Sequence, residues 1–304
     1  MSFWGKLFAP AAAESDDTKA APTPAAPFDS SQQNAAPAEI KPLAGETAPI
    51  ASEGEISIES PSSEAVADGQ EPVDPLVAAL ESQHGDMYGA LKSLSRRIDL
   101  NEKAQVSLVY FAFGTRVGDK GFELLSKVES IEALDITDSA ITDAGVKHLA
   151  AMPRLRELVA DITQLGDNGV QALEQSQSLR RLSVAATKIT DVGLVHIGKL
   201  VGLEALNLSG TAITHRGLAH LAELTQLQSL DLSENNIRDG GAQHLSKMAG
   251  LKTISLNDTR IGNESARHLL GFEKMIYLNI KRTFITEEWI AKMIESMPYA
   301  KINR

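Results

Sequence analysis

Apolar residues recur through most of the chain in a pattern that combines two periods within 24 residues, shown most clearly by residues 203–226. The first half of this stretch reads LEALNL, in which Leu206 and Leu208 alternate with polar residues as in a strand with one buried face. The second half places three leucines, from Leu218 to Leu224, along one stripe of a helix. A strand and a helix that are each apolar on one side cannot form a core alone. The pattern therefore predicts a stack of such units.

The same 24-residue unit is predicted to occur eight times without an insertion, and Tyr299 and Ile302 begin a ninth. We number the positions of each unit from 1 to 24. Position 1 falls at residues 107, 131, 155, 179, 203, 227, 251 and 275. The repeats from residue 107 to residue 304 therefore predict a solenoid domain, in which each unit packs only on its neighbours.

The first nine residues, MSFWGKLFA, are unusually aromatic for this chain. Four apolar side chains would share one face of two helical turns: Phe3, Trp4, Leu7 and Phe8. Such a face is typical of a short amphipathic peptide that docks on a membrane surface or on a protein. Packing of the peptide on the repeats of the same chain is the structural alternative.

Residues 10–72 are rich in alanine and proline and carry most of the acidic excess, so we expect a disordered linker. Asp74 and Pro75 then read as the cap and first residue of a helix. Apolar residues at alternating spacings of three and four predict that this helix continues to about Glu102 within a segment spanning residues 73–105. Two interpretations stay open: a helix that caps the first repeat, or a dimeric coiled coil.

The formal net charge of −11 is concentrated at the N-terminus, because residues 1–75 contain 13 acidic and 3 basic residues. The remaining chain, with 27 acidic and 26 basic residues, lacks the basic excess of a nucleic-acid-binding protein. The absence of cysteine excludes disulfides, thiolate metal sites and a cysteine nucleophile. Since no apolar run is long enough for a membrane span or a signal peptide, we predict a cytoplasmic protein, with peripheral attachment at the inner face of the membrane as an alternative.

The segments LEALNLSGTAIT and LQSLDLSENNIR resemble the LxxLxLxxN/TxI core of leucine-rich repeats. The helical half GLAHLAEL is similar to short-helix bacterial repeats and to the cysteine-containing class, and GGAQHLSKM is similar to GALA-type repeats. The resemblance covers residues 107–298. It implies an α/β leucine-rich repeat solenoid with a parallel sheet on the concave side and short helices on the convex side. The N-terminal helical cap and the disordered leader, expected from the preceding residues, complete the predicted architecture. It says little about function, because one fold supports many functions.

Three polar positions recur in the repeats, and each has a structural explanation. A hydroxyl or amide at position 9, as in Thr211, is expected to pair with the backbone where the strand turns away. An Asp at position 13, as in Asp119, is expected to cap the helix that it opens. Position 18 holds five histidines, including His196 and His220, but nothing around them completes a metal site, so we expect no metal.

Positions 3, 5 and 7 should face outward from the concave sheet, with position 2 at its margin. Their charged and aromatic residues concentrate near the second and third repeats and at the C-terminal end, and arginine and tyrosine are frequent in binding hot spots. The candidate partner-binding residues are Arg156, Glu157, Arg180, Arg181, Asn207, Asp231, Tyr277, Asn279 and Lys281.

The sequence contains no recognisable pairing of acid and base, nucleophile or phosphate-binding loop, so we predict neither catalysis nor a cofactor. The preferred function is a non-enzymatic adaptor that binds a protein partner, as a monomer or a coiled-coil dimer, without nucleic acid. Two alternatives remain: a translocated bacterial effector that binds a host protein, and a membrane-surface scaffold that attaches through residues 1–9.

Overall fold

The computed structural model describes residues 73–304, and the strands of this region form a single ten-stranded sheet in sequential order. The first two strands are antiparallel, and every later strand is parallel to the one before it. The strands are β1 Ser95–Leu100, β2 Val106–Phe111, β3 Ala133–Asp135, β4 Glu157–Val159, β5 Arg181–Ser183, β6 Ala205–Asn207, β7 Ser229–Asp231, β8 Thr253–Ser255, β9 Tyr277–Asn279 and β10 Lys301–Asn303.

Helices connect successive strands on the other side of the repeats, and two connections contain 3-10 helices, at Gly217–Leu221 and Asp239–Gly241. The α-helices are α1 Pro75–Ser82, α2 Met87–Leu94, α3 Asp119–Leu125, α4 Asp143–Ala150, α5 Asp167–Leu173, α6 Asp191–Ile197, α7 Ala242–Leu245, α8 Asn263–Leu269 and α9 Glu287–Ser296. This alternation of a strand and a helix is the solenoid that the sequence predicts.

The core is a continuous stack of aliphatic side chains from the inner positions of the repeats. In the unit that starts at residue 203, the seven apolar residues that carry the pattern are fully buried: Leu203, Leu206, Leu208, Ile213, Leu218, Leu221 and Leu224. Equivalent residues of neighbouring strands, such as Leu206 and Leu230, pair directly in the sheet. Each unit therefore buries its apolar side against the next one, as expected for a solenoid.

The prediction of a single helix from Asp74 and Pro75 to about Glu102 is wrong. Helix α1 ends at Ser82, and His84 and Gly85 adopt positive φ angles of 53° and 85° that an α-helix cannot contain. The chain resumes as α2 and then becomes strand β1, which pairs with β2. The continuous heptad seam that the coiled-coil interpretation requires is therefore absent between residues 73 and 105.

Residues 73–105 pack on the first repeat, and we call them the N-terminal cap. Leu76 and Leu91 are fully buried in the same core as the repeats. The carboxylate of Asp74 accepts hydrogen bonds from the backbone N–H groups of Gly118 (2.7 Å) and Gly121 (3.1 Å), at the start of α3. It also accepts one from Leu76 N, so the expected capping role of Asp74 in α1 is confirmed.

The repeats keep a 24-residue register in the sheet from Leu134 onward, and Ile302 of the ninth unit pairs with Leu278 as expected. The first repeat departs from the predicted register, because Val109 and not Tyr110 pairs with Leu134. Its strand therefore lies one residue earlier than the uninterrupted period predicts. As a result, Tyr110 lies opposite Asp135, at a position that faces the concave side.

The recurring polar positions link neighbouring units. The threonine hydroxyl at position 9 donates to the carbonyl three residues earlier, as in Thr163 to Ala160 O (2.8 Å), which confirms the prediction of backbone pairing in those units. Ser139 is the exception, because its buried hydroxyl has no hydrogen-bond partner within residues 73–304. The prediction for position 13 is wrong in one respect, because the residue before the Asp occupies the N-cap position of the helix. Thus Thr142 caps α4, while Asp119 of the preceding unit accepts from Thr142 N (2.8 Å) and Thr142 Oγ1 (2.6 Å).

The predicted docking peptide, residues 1–9, and the predicted linker, residues 10–72, lie outside the described residues.

Candidate binding surface on the concave side

The middle of the concave face is a closed layer of small polar side chains. Asn207 Nδ2 donates to Ser183 Oγ (2.9 Å), and Ser233 Oγ contacts Ser255 Oγ (2.8 Å) and Asn257 Oδ1 (2.6 Å). These hydrogen bonds run across the strands, so the side chains satisfy one another within the sheet. The middle strands therefore offer a partner few side chains able to form new contacts.

Three of the predicted partner-binding residues belong to this closed layer or to its edge. Glu157, Asn207 and Asp231 are only 2%, 3% and 6% exposed. Asn207 Oδ1 and Asp231 Oδ1 also accept hydrogen bonds from the backbone N–H groups two residues later. The expectation that these three side chains are accessible to a partner is wrong, because adjacent strands bring neighbouring side chains close enough to cover them.

A group of accessible charged residues lies on the repeats nearest the N-terminus, where it lines a groove of about 780 Å³. The groove lies where the strands begin and brings the predicted Arg156, Arg180 and Arg181 together with Arg154. Three carboxylates also line it: Asp99, Glu132 and Glu204. We call this feature the arginine groove and define it by these seven charged residues.

An internal network fixes Arg181 at the edge of the arginine groove. Its Nε atom donates to Glu157 Oε2 at 2.9 Å, and its Nη2 atom donates to the same oxygen. Tyr110 Oη donates to Glu157 Oε1 at 3.0 Å. Burial and the adjacent Glu157 carboxylate raise the pKa of Tyr110, so this phenol remains a hydrogen-bond donor at neutral pH. Glu157 is therefore a buried support for Arg181 rather than a contact residue.

The two arginines at position 2 are differently constrained. The Nη1 atom of Arg180 donates to the backbone carbonyls of Gln177 (3.0 Å) and Leu179 (2.9 Å). Arg156 is exposed and forms no side-chain hydrogen bond or ion pair within residues 73–304. The backbones of the two residues are joined by the hydrogen bond from Arg180 N to Arg156 O (2.8 Å), so the arginines are direct neighbours.

The second predicted group lies at the C-terminal end of the sheet. Tyr277 and Asn279 are half-buried on β9, and Lys281 is exposed just after this strand. Asn279 Nδ2 donates to Asn257 Oδ1 (2.8 Å), which extends the cross-strand polar layer towards this end. Phe284 is 72% exposed nearby in sequence, so this end combines aromatic, amide and cationic groups.

Asp161 is a concave carboxylate whose ionisation is affected by the fold. Burial raises its pKa, while hydrogen bonds from Ser183 Oγ (2.6 Å) and Ala185 N (2.8 Å) partly offset the effect. Both donors contact the same oxygen, Oδ1. An amide oxygen placed there would accept the same two hydrogen bonds without the cost of burying a charge.

The histidines of position 18 lie on the helical side, away from this surface. His196 Nδ1 contacts Glu174, which also accepts from Lys199 Nζ at 2.8 Å. The Lys199 hydrogen bond, followed by that of His196, lowers the pKa of Glu174. Within residues 73–304, no three His, Cys, Asp or Glu side chains are arranged to hold a metal ion.

Sequence reasoning missed three contributors to the concave surface. Arg96 pairs with Asp135, and its guanidinium carbon lies 5.6 Å from the centre of the Tyr110 ring. The apolar spacing predicts a helix at Arg96, and the uninterrupted period predicts an inward position for Tyr110. Arg154 precedes the start of its repeat, so the repeat positions do not predict that it lies on the concave side. Only the alternating pattern of SRRIDL, Ser95–Leu100, could have indicated a strand at Arg96.

Two family models and one solved structure agree with this architecture. Family models described as leucine-rich repeats match residues 177–237 and residues 129–150. Internalin C2 from Listeria monocytogenes has a similar structure, with a TM-score of 0.53, 22% sequence identity, and coverage of 76% of this chain and 93% of that chain. A leucine-rich repeat protein from Leptospira interrogans matches with a TM-score of 0.39 and 14% identity over 59% of this chain and 56% of that chain. No curated protein sequence matches this chain.

The sequential parallel sheet, the convex helices and the matching family models define a solenoid of leucine-rich repeats. The chain is a leucine-rich repeat protein. This fold typically serves protein–protein interaction, and its members are typically non-enzymatic binding scaffolds. Within residues 73–304, no helix combines the length and the apolar character needed to cross a bilayer.

Proposed function

We propose that this protein is a non-enzymatic adaptor that binds a protein partner on the concave side of its repeats. The observation that carries the proposal is the distribution of accessible side chains on this face. The middle strands are occupied by a closed polar layer, while Arg156, Arg180 and Arg181 are accessible at one end and Tyr277 and Lys281 at the other. Arginine and tyrosine dominate binding hot spots, because they combine large contact areas with directional hydrogen bonds.

The proposed surface is rigid, which favours binding. From Glu132 to Lys252, the carbonyl at position 2 of each unit accepts two N–H groups from the next unit, as Arg156 O does from Arg180 N (2.8 Å) and Arg181 N (2.9 Å). Side chains that project from such a backbone lose little backbone entropy when a partner binds. The closed middle then sets the distance between two contact regions, so we expect a partner that engages both ends of the sheet.

The test is affinity purification with the full chain as bait and two matched triple variants. The concave variant is Arg156→Glu/Arg180→Glu/Arg181→Glu, and the convex control reverses three exposed lysines: Lys127→Glu/Lys147→Glu/Lys247→Glu. We expect a partner retained by the wild type and the convex control to be lost with the concave variant. Equal recovery with both variants would show that the concave face does not bind it.

We also propose that residues 1–9 attach the adaptor to a membrane surface, as the aromatic face in the sequence suggests. One short helix with a single lysine binds weakly, so attachment would be reversible and would gain from a second contact. Flotation with liposomes that contain anionic lipid tests this for the full chain and for Phe3→Ala/Trp4→Ala/Leu7→Ala/Phe8→Ala. We expect only the wild type to float, and equal flotation of both chains would exclude the anchor.

A further inference from the structure

The arginine groove contains a row of charges that do not neutralise one another. Position 2 of four consecutive repeats reads Glu132, Arg156, Arg180 and Glu204. Adjacent strands pair in register here, so the two arginines are direct neighbours between two flanking carboxylates. Nevertheless, none of these four side chains forms an ion pair within residues 73–304. Two neighbouring like charges without a counterion are unfavourable, and an anion between them would remove this cost.

Arg180 is held in one orientation by contacts that leave three of its five N–H donors unused. Both of its protein hydrogen bonds use Nη1, on the carbonyls of Gln177 and Leu179. Gly202 makes room for this arrangement, because a Cβ atom at residue 202 would lie 2.5 Å from Nη1. The Nε and Nη2 atoms of Arg180 have no hydrogen-bond partner within residues 73–304. These two atoms form the edge of a guanidinium that binds a carboxylate in a bidentate manner.

The charge of the arginine groove favours a singly charged anionic group. Arg181 is paired with Glu157, and Asp99 is paired with Arg97. The unpaired charges that line the groove are then Arg154, Arg156 and Arg180 against Glu132 and Glu204, an excess of one positive charge. This excess matches one carboxylate, and the flanking Glu132 and Glu204 would repel a phosphate dianion. They would likewise oppose the phosphate backbone of a nucleic acid.

We infer that the arginine groove binds an acidic segment of the protein partner, with one carboxylate held by Nε and Nη2 of Arg180 and with Arg156 beside it. This inference rests on the proposed function, since it names the chemistry of the partner at one end of the concave surface. The flanking glutamates select segments whose acidic residues are bordered by basic ones, because Glu132 and Glu204 pair with the neighbouring cations of the segment. Specificity therefore has two sources: the central arginines attract the carboxylate, and the flanking glutamates select the order of charges along the segment.

Purified full chain and fluorescein-labelled twelve-residue peptides test the inference by fluorescence anisotropy. The probe peptide has a central Lys-Glu-Glu-Lys sequence, one control replaces both Glu by Gln, and another replaces them by phosphoserine. We expect the Glu peptide to bind about tenfold more tightly than the Gln peptide at low salt, and the preference to shrink as salt rises. Equal affinity of the Glu and Gln peptides would overturn the inference, and tighter binding of the phosphoserine peptide would reassign the site to phosphate.

Variants of the chain identify the contact. Arg156→Glu and Arg180→Glu should each weaken binding of the Glu peptide about tenfold, while Lys252→Glu, at the same position but outside the groove, should leave it unchanged. Gly202→Ala keeps every charge but displaces the guanidinium of Arg180, so we expect several-fold weaker binding at an unchanged melting temperature. Unaltered binding by Gly202→Ala and Arg180→Glu would show that Arg180 is not the contact.

The two proposals can fail separately. If affinity purification yields a partner that depends on the concave face while the Glu and Gln peptides bind equally, the inference about the arginine groove is wrong and the adaptor function stands. If the Glu peptide binds through Arg180 but no retained partner depends on the concave face, the adaptor function is wrong and the groove remains an acidic-peptide site.

Discussion

At the scale of single residues, position 8 of the repeat adopts a strained backbone conformation that the fold tolerates. The residue three positions after the end of the strand has a positive φ in each of the eight units, but glycine occupies this position only at Gly114 and Gly210. Residues with a Cβ are strained in this conformation, and β-branched residues most of all. Ile162, with φ at 57°, is the β-branched example. Since it is also 52% exposed, little burial offsets the strain.

We therefore expect Ile162→Asn to raise the free energy of unfolding by roughly 1 kcal/mol, because Asn adopts the left-handed conformation more readily than Ile. Urea unfolding followed by circular dichroism measures the change. Ile162→Val is the matched control, since it keeps the β-branch and should bring no gain. Equal stability of the Asn and Val variants would contradict the explanation by strain.

Asp161 gives a second prediction at this scale. Its pKa is raised by burial, so the folded state binds a proton more readily than the unfolded state. Its stabilising effect is present at acid pH and is lost as pH rises through the folded pKa. Asp161→Asn should keep both hydrogen bonds at the oxygen and raise stability at pH 7 by on the order of 1 kcal/mol.

The gain from Asp161→Asn should shrink as pH falls towards the acidic range, where the wild-type carboxyl is itself protonated. Urea unfolding at pH 7 and pH 5 measures both values. Glu223→Gln makes the same change of charge at an exposed side chain and should show neither the gain nor its pH dependence. An Asp161→Asn variant that is less stable than wild type at pH 7 would contradict the role assigned to burial.

The sequence predicts which concave positions face outward, but not which of their side chains are accessible. Exposure depends on the side chains of adjacent strands, and those depend on register. Arg156 and Lys281 are accessible because they lie at the ends of strands, while Asn207 lies between Ser183 and Asp231 and is covered. Repeat periodicity carries no information on this difference, which arises only when three consecutive strands are assembled.

At the scale of elements, the Asp of position 13 connects each helix to the next. Asp143 accepts from Gly166 N (2.7 Å), Asp167 from Thr190 N (2.9 Å) and Asp191 from Thr214 N (2.7 Å). Asp74 provides the same contact to the first repeat from outside the series. Helix starts are therefore satisfied by the preceding unit, which couples neighbours electrostatically as well as through the core.

The series is interrupted at His215. Its Nδ1 atom is buried and has no hydrogen-bond partner among residues 73–304. The next helix has no side-chain cap at Arg238 and begins as a 3-10 turn. We expect His215→Asp to restore the carboxylate contact and raise the melting temperature, with a gain of about 1 kcal/mol, as for other helix caps.

Thermal unfolding measures the effect of His215→Asp, with His220→Asp as the control. His220 is exposed in the last turn of its own helix, where an added carboxylate should bring no gain. A melting temperature that is unchanged or lower in His215→Asp would show that the histidine side chain already fulfils the capping role. The sequence shows that His215 interrupts the series of Asp residues at position 13. Only the structure shows that its buried Nδ1 atom has no partner within residues 73–304 and that the next helix has no side-chain cap.

Elements outside the repeats were the least predictable. The apolar spacing over residues 73–105 favoured one helix, but β1 forms because β2 would otherwise present an unpaired edge. Asn101 turns the chain between these strands, since its Oδ1 accepts from Lys103 N (2.9 Å) and Gln105 N (3.0 Å). Within the repeats, neighbours are copies of one another and local pattern determines structure. At the N-terminal end of the stack, the pairing of β1 with β2 determines the structure and outweighs the helical spacing of the apolar residues.

At the scale of the whole molecule, stability in a solenoid is the sum of contacts between neighbouring units, so damage at one end should be felt mainly at that end. Leu91 of the N-terminal cap and Leu269 of α8 are both fully buried and lie near opposite ends of the described core. Truncation of a buried leucine to alanine costs roughly 2–5 kcal/mol. The two substitutions therefore remove comparable side chains from opposite ends.

We expect Leu91→Ala to increase hydrogen exchange most in β2 and β3, with little change in β8 and β9, and Leu269→Ala to give the reverse gradient. Hydrogen exchange followed by mass spectrometry measures both profiles under native conditions. A uniform loss of protection in both variants would mean that the repeats unfold as one cooperative unit. The graded outcome matters for binding, because the arginine groove contains Asp99 of the N-terminal cap. Loosening the cap would therefore disturb this end of the concave surface before the C-terminal end.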